Sequence, residues 1–152
     1  MDNTDYQILR ELQKDGRLSN VELAEKVNLS PSPCLRRVRL LEESGVIQSY
    51  TTLVDHEKYG LPVTVFVSVR LERQNQQSIQ KFEQGIHSLE EVMACYLMAG
   101  KYDYLLLVVS HSIKNYEYFV RDQLMKIPGI AELESSFAFG RVKYNTQLPK
   151  AY

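Results

Sequence analysis

SNVELAEKVNLSPSPCLRRVRLLEESG, residues 19–45, decides how the first half of this chain folds. Ser19 and Glu22 form an S-x-x-E pair, in which each side chain meets a backbone N–H of the helix start. Leu23, Ala24 and Val27 follow as the buried stripe of a short helix, and Asn28 suits the left-handed turn that ends it. Ser30 then caps a second helix. Pro31 and Pro33 both fall in its first turn, where the missing N–H groups cost nothing. Leu35, Val38 and Leu41 are expected to face inward, Gly45 to close the helix, and Val46-Ile47 to begin a strand. Upstream, Ile8, Leu9 and Leu12 give Thr4–Asp15 one apolar face, with Gly16 as a stop. Two short helices joined by about three residues, after an earlier helix, make a helix-turn-helix. The second of the pair would enter the major groove of DNA.

The charge along that helix and its flanks fits this role. Lys26, Arg36, Arg37 and Arg39 lie between positions 26 and 41 with no carboxylate among them. Arginine attracts phosphate and also reads guanine edges with paired hydrogen bonds. Ser30, Ser32, Pro33, Cys34, Arg36, Arg37 and Arg39 are therefore the candidate DNA contacts. The plainer reading of a charge run is a solvated face, and the capped helices around this one weigh against it. For Cys34, packing is a better explanation than redox chemistry.

The rest of the composition sets bounds. The 152 residues include 44% hydrophobic and 24% charged residues, the balance of a folded globular chain. The 18 Lys+Arg and 19 Asp+Glu give a net charge of -1, so any contact with nucleic acid must be a local patch. The two cysteines, Cys34 and Cys95, are far apart and imply no disulfide framework. The start MDNTDYQILREL lacks the basic n-region and apolar core of a signal peptide, and no apolar run approaches membrane length. A cytoplasmic, soluble protein with no membrane partner is expected.

The second half alternates strand-like and helical runs. PVTVFVSVRL (62–71) is a strand, NQQSIQKFEQGIHSL (75–89) a helix with Ile79, Phe82 and Ile86 on one side, and EVMACYLMAG (91–100) and YDYLLLVVS (102–110) are strands. IKNYEYFVRDQLMKI (113–127) is a helix, and IAELESSFAFGRVKY (130–144) a long strand. The order βαββαβ is the ferredoxin-like pattern. The fold class is thus α+β: a winged-type helix-turn-helix over 1–45, a linker with strand character over 46–60, and a βαββαβ domain over 61–152. His56, His87 and His111 are scattered without metal-ligand spacing, and Cys95 is expected in the core. No nucleophile–base pair, phosphate loop or dinucleotide motif is present, so neither catalysis nor a cofactor is expected.

These residues together resemble the Lrp/AsnC, or feast/famine, transcription regulators. SNVELAEKVNLSPSPCLRRVRLLEESGVIQSYTTLVD looks like the family's DNA-binding half. MAGKYDYLLLV looks like its effector half, with the G-x-x-D-Y loop at Gly100 to Tyr104, and SSFAFGRVKYNTQLP is similar to its last strand and tail. The resemblance implies a regulator that binds double-stranded DNA. It implies a homodimer held by the βαββαβ domains, often stacked into octamers, with an amino acid or related small effector between dimers. Carried over by position, Gly100, Lys101, Tyr102, Asp103 and Tyr104 line the effector site, and Ser135 and Ser136 join it from a neighbouring subunit. Asp103 would accept from the ammonium group. Loop N–H groups and serine hydroxyls would donate to the carboxylate. Lys101 departs from the acidic residue frequent in the family, and Asn28 from its usual glycine. Two other readings stay open at this point: a sensor or enzyme subunit whose N-terminal helices serve only for interaction, and a regulator that answers to no ligand.

Overall fold

The first helix starts one residue earlier than the periodicity suggests, because Asp2 and Asp5 cap it reciprocally. The Asp5 N–H donates to the Asp2 side chain at 3.0 Å, and the Asp2 N–H donates to the Asp5 carboxylate at 2.8 Å. This helix, α1, spans Asn3–Lys14. The expected Ser19–Glu22 box opens α2, Asn20–Lys26, with the Ser19 N–H donating to Glu22 at 2.8 Å. Asn28 takes the left-handed conformation at φ 54°, and the Leu29 N–H closes the turn on the Ala24 carbonyl at 2.9 Å. α3 then runs from Pro31 to Glu43. Ser30 occupies its cap position, but the hydroxyl makes no capping bond.

The structure is a computed structural model and describes residues 1–149. They divide into two units: Met1–Leu53 with the tail from Val142, and Val54–Arg141. By its contacts the tail groups with the first unit, where the Leu148 N–H donates to the Gln13 side chain at 3.3 Å.

The core of the first unit is Ile8, Leu23, Ala24, Val27, Cys34 and Leu41, with Leu9, Leu12, Val38 and Ile47 packed around it. This phase corrects the expected one. Cys34 is fully buried, whereas Leu35 is 38% exposed. The series 34, 38, 41 satisfies helical spacing as well as 35, 38, 41 does, and the smaller thiol takes the inner position. The expected strand at Val46-Ile47 is absent: no strand is assigned between Gly45 and Pro62. Gly45 adopts φ 74°, and the Ile47 N–H returns to the Leu41 carbonyl at 3.0 Å, so this segment closes α3 and does not pair with another strand.

Two caps make this unit acid-sensitive. The Asp5 N–H, and then Arg37, hold the Asp2 carboxyl below its ordinary range; hydrogen bonds from Ser19 do the same for Glu22. Because both groups are more acidic in the folded state, their stabilisation is complete above the ordinary carboxylate range and disappears as pH falls through the lowered values. Helicity followed by circular dichroism should show a falling melting temperature between about pH 5 and about pH 2. Asp2→Asn should flatten part of that dependence. An identical profile in the variant would remove Asp2 from the account.

The second unit comprises β1 (Val63–Leu71), α4 (Gln76–His87), β2 (Val92–Leu97), β3 (Tyr104–Ser110), α5 (Ile113–Asp122), a 3-10 turn at Leu124–Lys126 and β4 (Ile130–Ala138). The strands form one antiparallel sheet in the order β2-β3-β1-β4, the ferredoxin-like arrangement. Strand alternation assigns the two faces. Val65, Val67, Val69, Tyr104, Leu106 and Val108 pack with Phe82 and Ile86 of α4 and Phe119 of α5. The opposite face carries Phe66, Arg70, Leu105, Leu107 and Tyr96, of which Phe66, Arg70 and Tyr96 are exposed. The strands are shorter than the sequence suggests, β4 most of all: it ends at Ala138 rather than 144. Cys95 lies exposed on edge strand β2, so the core position expected for it is wrong.

Candidate functional site

The candidate DNA-contacting residues separate into three groups on α3. Cys34 is buried in the core, and its thiol is pushed up by desolvation, so it is withdrawn as a groove contact and as a reactive thiolate. Arg37 sits on the flank facing α1. Its guanidinium reaches Asp5 at 2.7 Å and Asp2 at 2.8 Å, and those carboxylates raise its pKa further. It therefore joins the capped start of α1 to α3; sequence reasoning could not tell this arginine from its neighbours. Ser30, Ser32, Pro33, Arg36 and Arg39 are exposed. Among the described residues neither Arg36 nor Arg39 has a carboxylate partner, and both line one shallow surface depression with Ser32, Leu35, Leu40 and Glu43. The start of α3 is positioned by Asn20, whose amide donates to the Pro31 carbonyl at 2.8 Å.

The second candidate site is the loop between β2 and β3. It is anchored where the β1–β4 register slips between Arg70 and Leu71, which leaves the Leu71 N–H in need of an acceptor. Asp103 supplies it. The Leu71 N–H donates to one Asp103 oxygen at 2.7 Å, and the Gln74 amide donates to the other at 2.6 Å. The Asp103 backbone is also engaged: its N–H donates to Val69 at 2.8 Å and its carbonyl accepts from Met98 at 2.8 Å. Asp103 therefore ties the β2–β3 loop to the β1–α4 connection. Both of its oxygens already accept a hydrogen bond in doing so, whereas the sequence suggested a free acceptor for an ammonium group.

Tyr104 is buried with its ring on Phe82, centroids 4.5 Å apart, and its hydroxyl donates to Glu83 at 2.9 Å. Burial, and then the Glu83 carboxylate, push this phenol well above its ordinary value. It is a packing and positioning residue of the loop base. Tyr102 is more open. Its hydroxyl donates to Glu134, lies 3.2 Å from Glu132, and accepts from the Lys101 ammonium at 2.9 Å. Arg70 pairs with Glu132 at 2.9 Å. Lys101 thus belongs to a charge network with β4, which the local sequence did not reveal. Gly100 is exposed at the loop tip. Ser135 and Ser136 point to opposite faces of β4: Ser135 bonds the Tyr116 hydroxyl on the helix side, while Ser136 stands opposite Phe66 on the open face. His56 and His111 engage the Leu61 and Gly60 carbonyls at 2.8 Å.

Comparison with known proteins matches both halves. The Lrp/AsnC ligand binding domain model covers residues 64–148, and a winged helix-turn-helix DNA-binding model covers 1–48. The chain belongs to the Lrp/AsnC family. It is 37% identical to transcriptional regulator AzlB of Bacillus subtilis, over 98% of this chain and 95% of that protein. It is 38% identical to the leucine-responsive regulatory protein of Escherichia coli K12, over 97% of this chain and 90% of the other. A transcriptional regulator from Neisseria meningitidis, solved as a complex with L-Met, superposes with a TM-score of 0.93 at 37% identity, covering 99% of this chain and 97% of that one. An AsnC family regulator from Agrobacterium tumefaciens gives 0.92 at 41% identity, over 98% and 97%. This Lrp/AsnC protein is therefore a transcription regulator, not an enzyme, with a DNA-binding helix-turn-helix and a ligand-binding ferredoxin-like domain. No helix among its described residues is long and apolar enough to cross a membrane.

Proposed function

We propose that this regulator binds an amino acid at the Gly100–Tyr104 loop and reads duplex DNA through Ser30, Ser32, Pro33, Arg36 and Arg39. The observation that carries the effector reading is the clamp at Asp103, which fixes a loop of exposed backbone at Gly100 and Lys101 between two sheet connections. A side chain at Gly100 would meet no atom of the chain within 4 Å, so this stretch of the loop is open to solvent. In this reading loop N–H groups donate to the effector carboxylate, and the remaining lone pairs of Asp103 accept from its ammonium. The L-Met bound by the Neisseria relative is the reason to try amino acids first.

The working form is a cytoplasmic homodimer that stacks to an octamer. The open sheet face with Phe66, Tyr96, Leu105 and Leu107 is the apolar surface a second copy covers. Ser136 on that face is the serine available to a neighbouring subunit, whereas Ser135 already serves Tyr116. A thermal-shift screen of the twenty amino acids on the full chain tests the reading, with oligomer size followed by light scattering. At a hundredfold excess over its dissociation constant, an effector adds about 2.7 kcal/mol of stability, a rise of several degrees. A flat response to all twenty would overturn the amino-acid assignment.

A further inference from the structure

The exposed face of α3 holds a side chain that its chemistry leaves unexplained. Leu35 is 38% exposed and is absent from the apolar cluster that includes Cys34, Val38 and Leu41. It lies between Ser32, Arg36 and Arg39 in the same depression, three residues after Ser32, one before Arg36 and four before Arg39. Those spacings place all four on one helical face. Arg36 and Arg39 are long and can reach phosphates or guanine edges from the sides of a groove; the apolar group between them has no such partner. In the major groove one base-pair feature is apolar, the 5-methyl group of thymine, and it distinguishes T·A from every other pair.

We propose that Leu35 is a specificity-determining residue that packs against a thymine methyl in the major groove, framed by Arg36 and Arg39. The assignment rests on α3 being the reading helix. It gives the exposed leucine a binding partner of matching chemistry and removes both surfaces from water. Burying one methyl against it accounts for about a fourfold gain in affinity for thymine over an otherwise identical base without the methyl. Leu40, 55% exposed, also lines the depression but lies further toward the end of α3; Leu35 is nearer the helix start, the end whose residues contact base edges.

The test uses the full chain and a duplex selected by it from a random-sequence pool. Each thymine of that duplex is replaced in turn by deoxyuridine, which deletes only the methyl, and binding is measured at fixed salt for the wild type, Leu35→Ala and Leu35→Met. At one or two positions per half-site, deoxyuridine should weaken the wild type about fourfold. It should leave Leu35→Ala unchanged, and Leu35→Met should regain part of the sensitivity. Because the residue is exposed, both variants should melt with the wild type, which separates reading from folding. A wild type indifferent to every thymine methyl overturns the proposal, as does a Leu35→Ala protein that stays equally sensitive. Failure of α3 as the reading helix looks different: Arg36→Ala and Arg39→Ala would then bind the selected duplex as the wild type does, and both readings fall together.

Discussion

Arg36→Ala with Arg39→Ala is expected to weaken duplex binding by about two orders of magnitude, because each lost phosphate or base contact costs about 1–3 kcal/mol. Both arginines are exposed and have no carboxylate partner among the described residues, so the double variant should fold with an unchanged melting temperature. Fluorescence anisotropy across a salt series gives a second reading. The slope of log affinity against log salt should become shallower by about two if both contact phosphate, since each neutralised phosphate releases counterions. Arg37→Ala should behave differently. Its guanidinium is already held by Asp2 and Asp5, so its loss should lower the melting temperature and disturb DNA binding only through the angle of α3. Equal effects of all three arginines on DNA affinity, with stability unchanged, would contradict this division of labour.

Asp103→Ala is expected to abolish any stabilisation by the effector and to destabilise the second unit. The Leu71 N–H at the register slip loses its acceptor, and an unsatisfied, partly buried donor costs about 1–3 kcal/mol. The Gln74 tether is lost with it, leaving the β2–β3 loop joined to β1 only through backbone bonds. Asp103→Asn separates the two roles. Its carbonyl oxygen can still accept from Leu71, so stability should largely return, while the charge opposite an ammonium group does not. Calorimetric unfolding with and without the stabilising amino acid checks both. An alanine variant that keeps the wild-type ligand shift would place the effector elsewhere.

The sequence made some of these features readable and hid others for identifiable reasons. The Ser19–Glu22 box, the left-handed Asn28 and the βαββαβ order are encoded by neighbours a few residues apart, so local pattern revealed them. The phase of α3 is hidden because leucine is more apolar than cysteine, yet the core formed with Ile8, Leu23, Ala24, Val27 and Leu41 takes the smaller side chain. Val46-Ile47 has strand composition, but the bond from Ile47 back to Leu41 uses it as a helix ending. The Asp2–Asp5 cap is legible in principle, as D-x-x-D, but the Arg37 guanidinium that packs against it is more than thirty residues away in sequence. In the β2–β3 loop, the G-x-x-D-Y pattern marks the proposed site, while the partners of Asp103 lie about thirty residues upstream and Glu132 about thirty downstream of Lys101 and Tyr102. No local periodicity reports contacts of that range. The same limit applies to Ser135 and Ser136: adjacency in sequence suggested one site, and strand alternation sends them to opposite faces.

In the proposed mechanism, an amino acid at the β2–β3 loop controls DNA binding by α3. An effector changes DNA binding only by its differential affinity for the states that bind DNA well and poorly. The most direct measurement is an anisotropy titration of the selected duplex at fixed salt, with the wild type and Asp103→Ala, each with and without the amino acid that stabilises the fold. The account predicts that the amino acid displaces the wild-type curve in midpoint or stoichiometry and leaves the Asp103→Ala curve where it was. Superimposable wild-type curves, with an amino acid demonstrably bound, would contradict it.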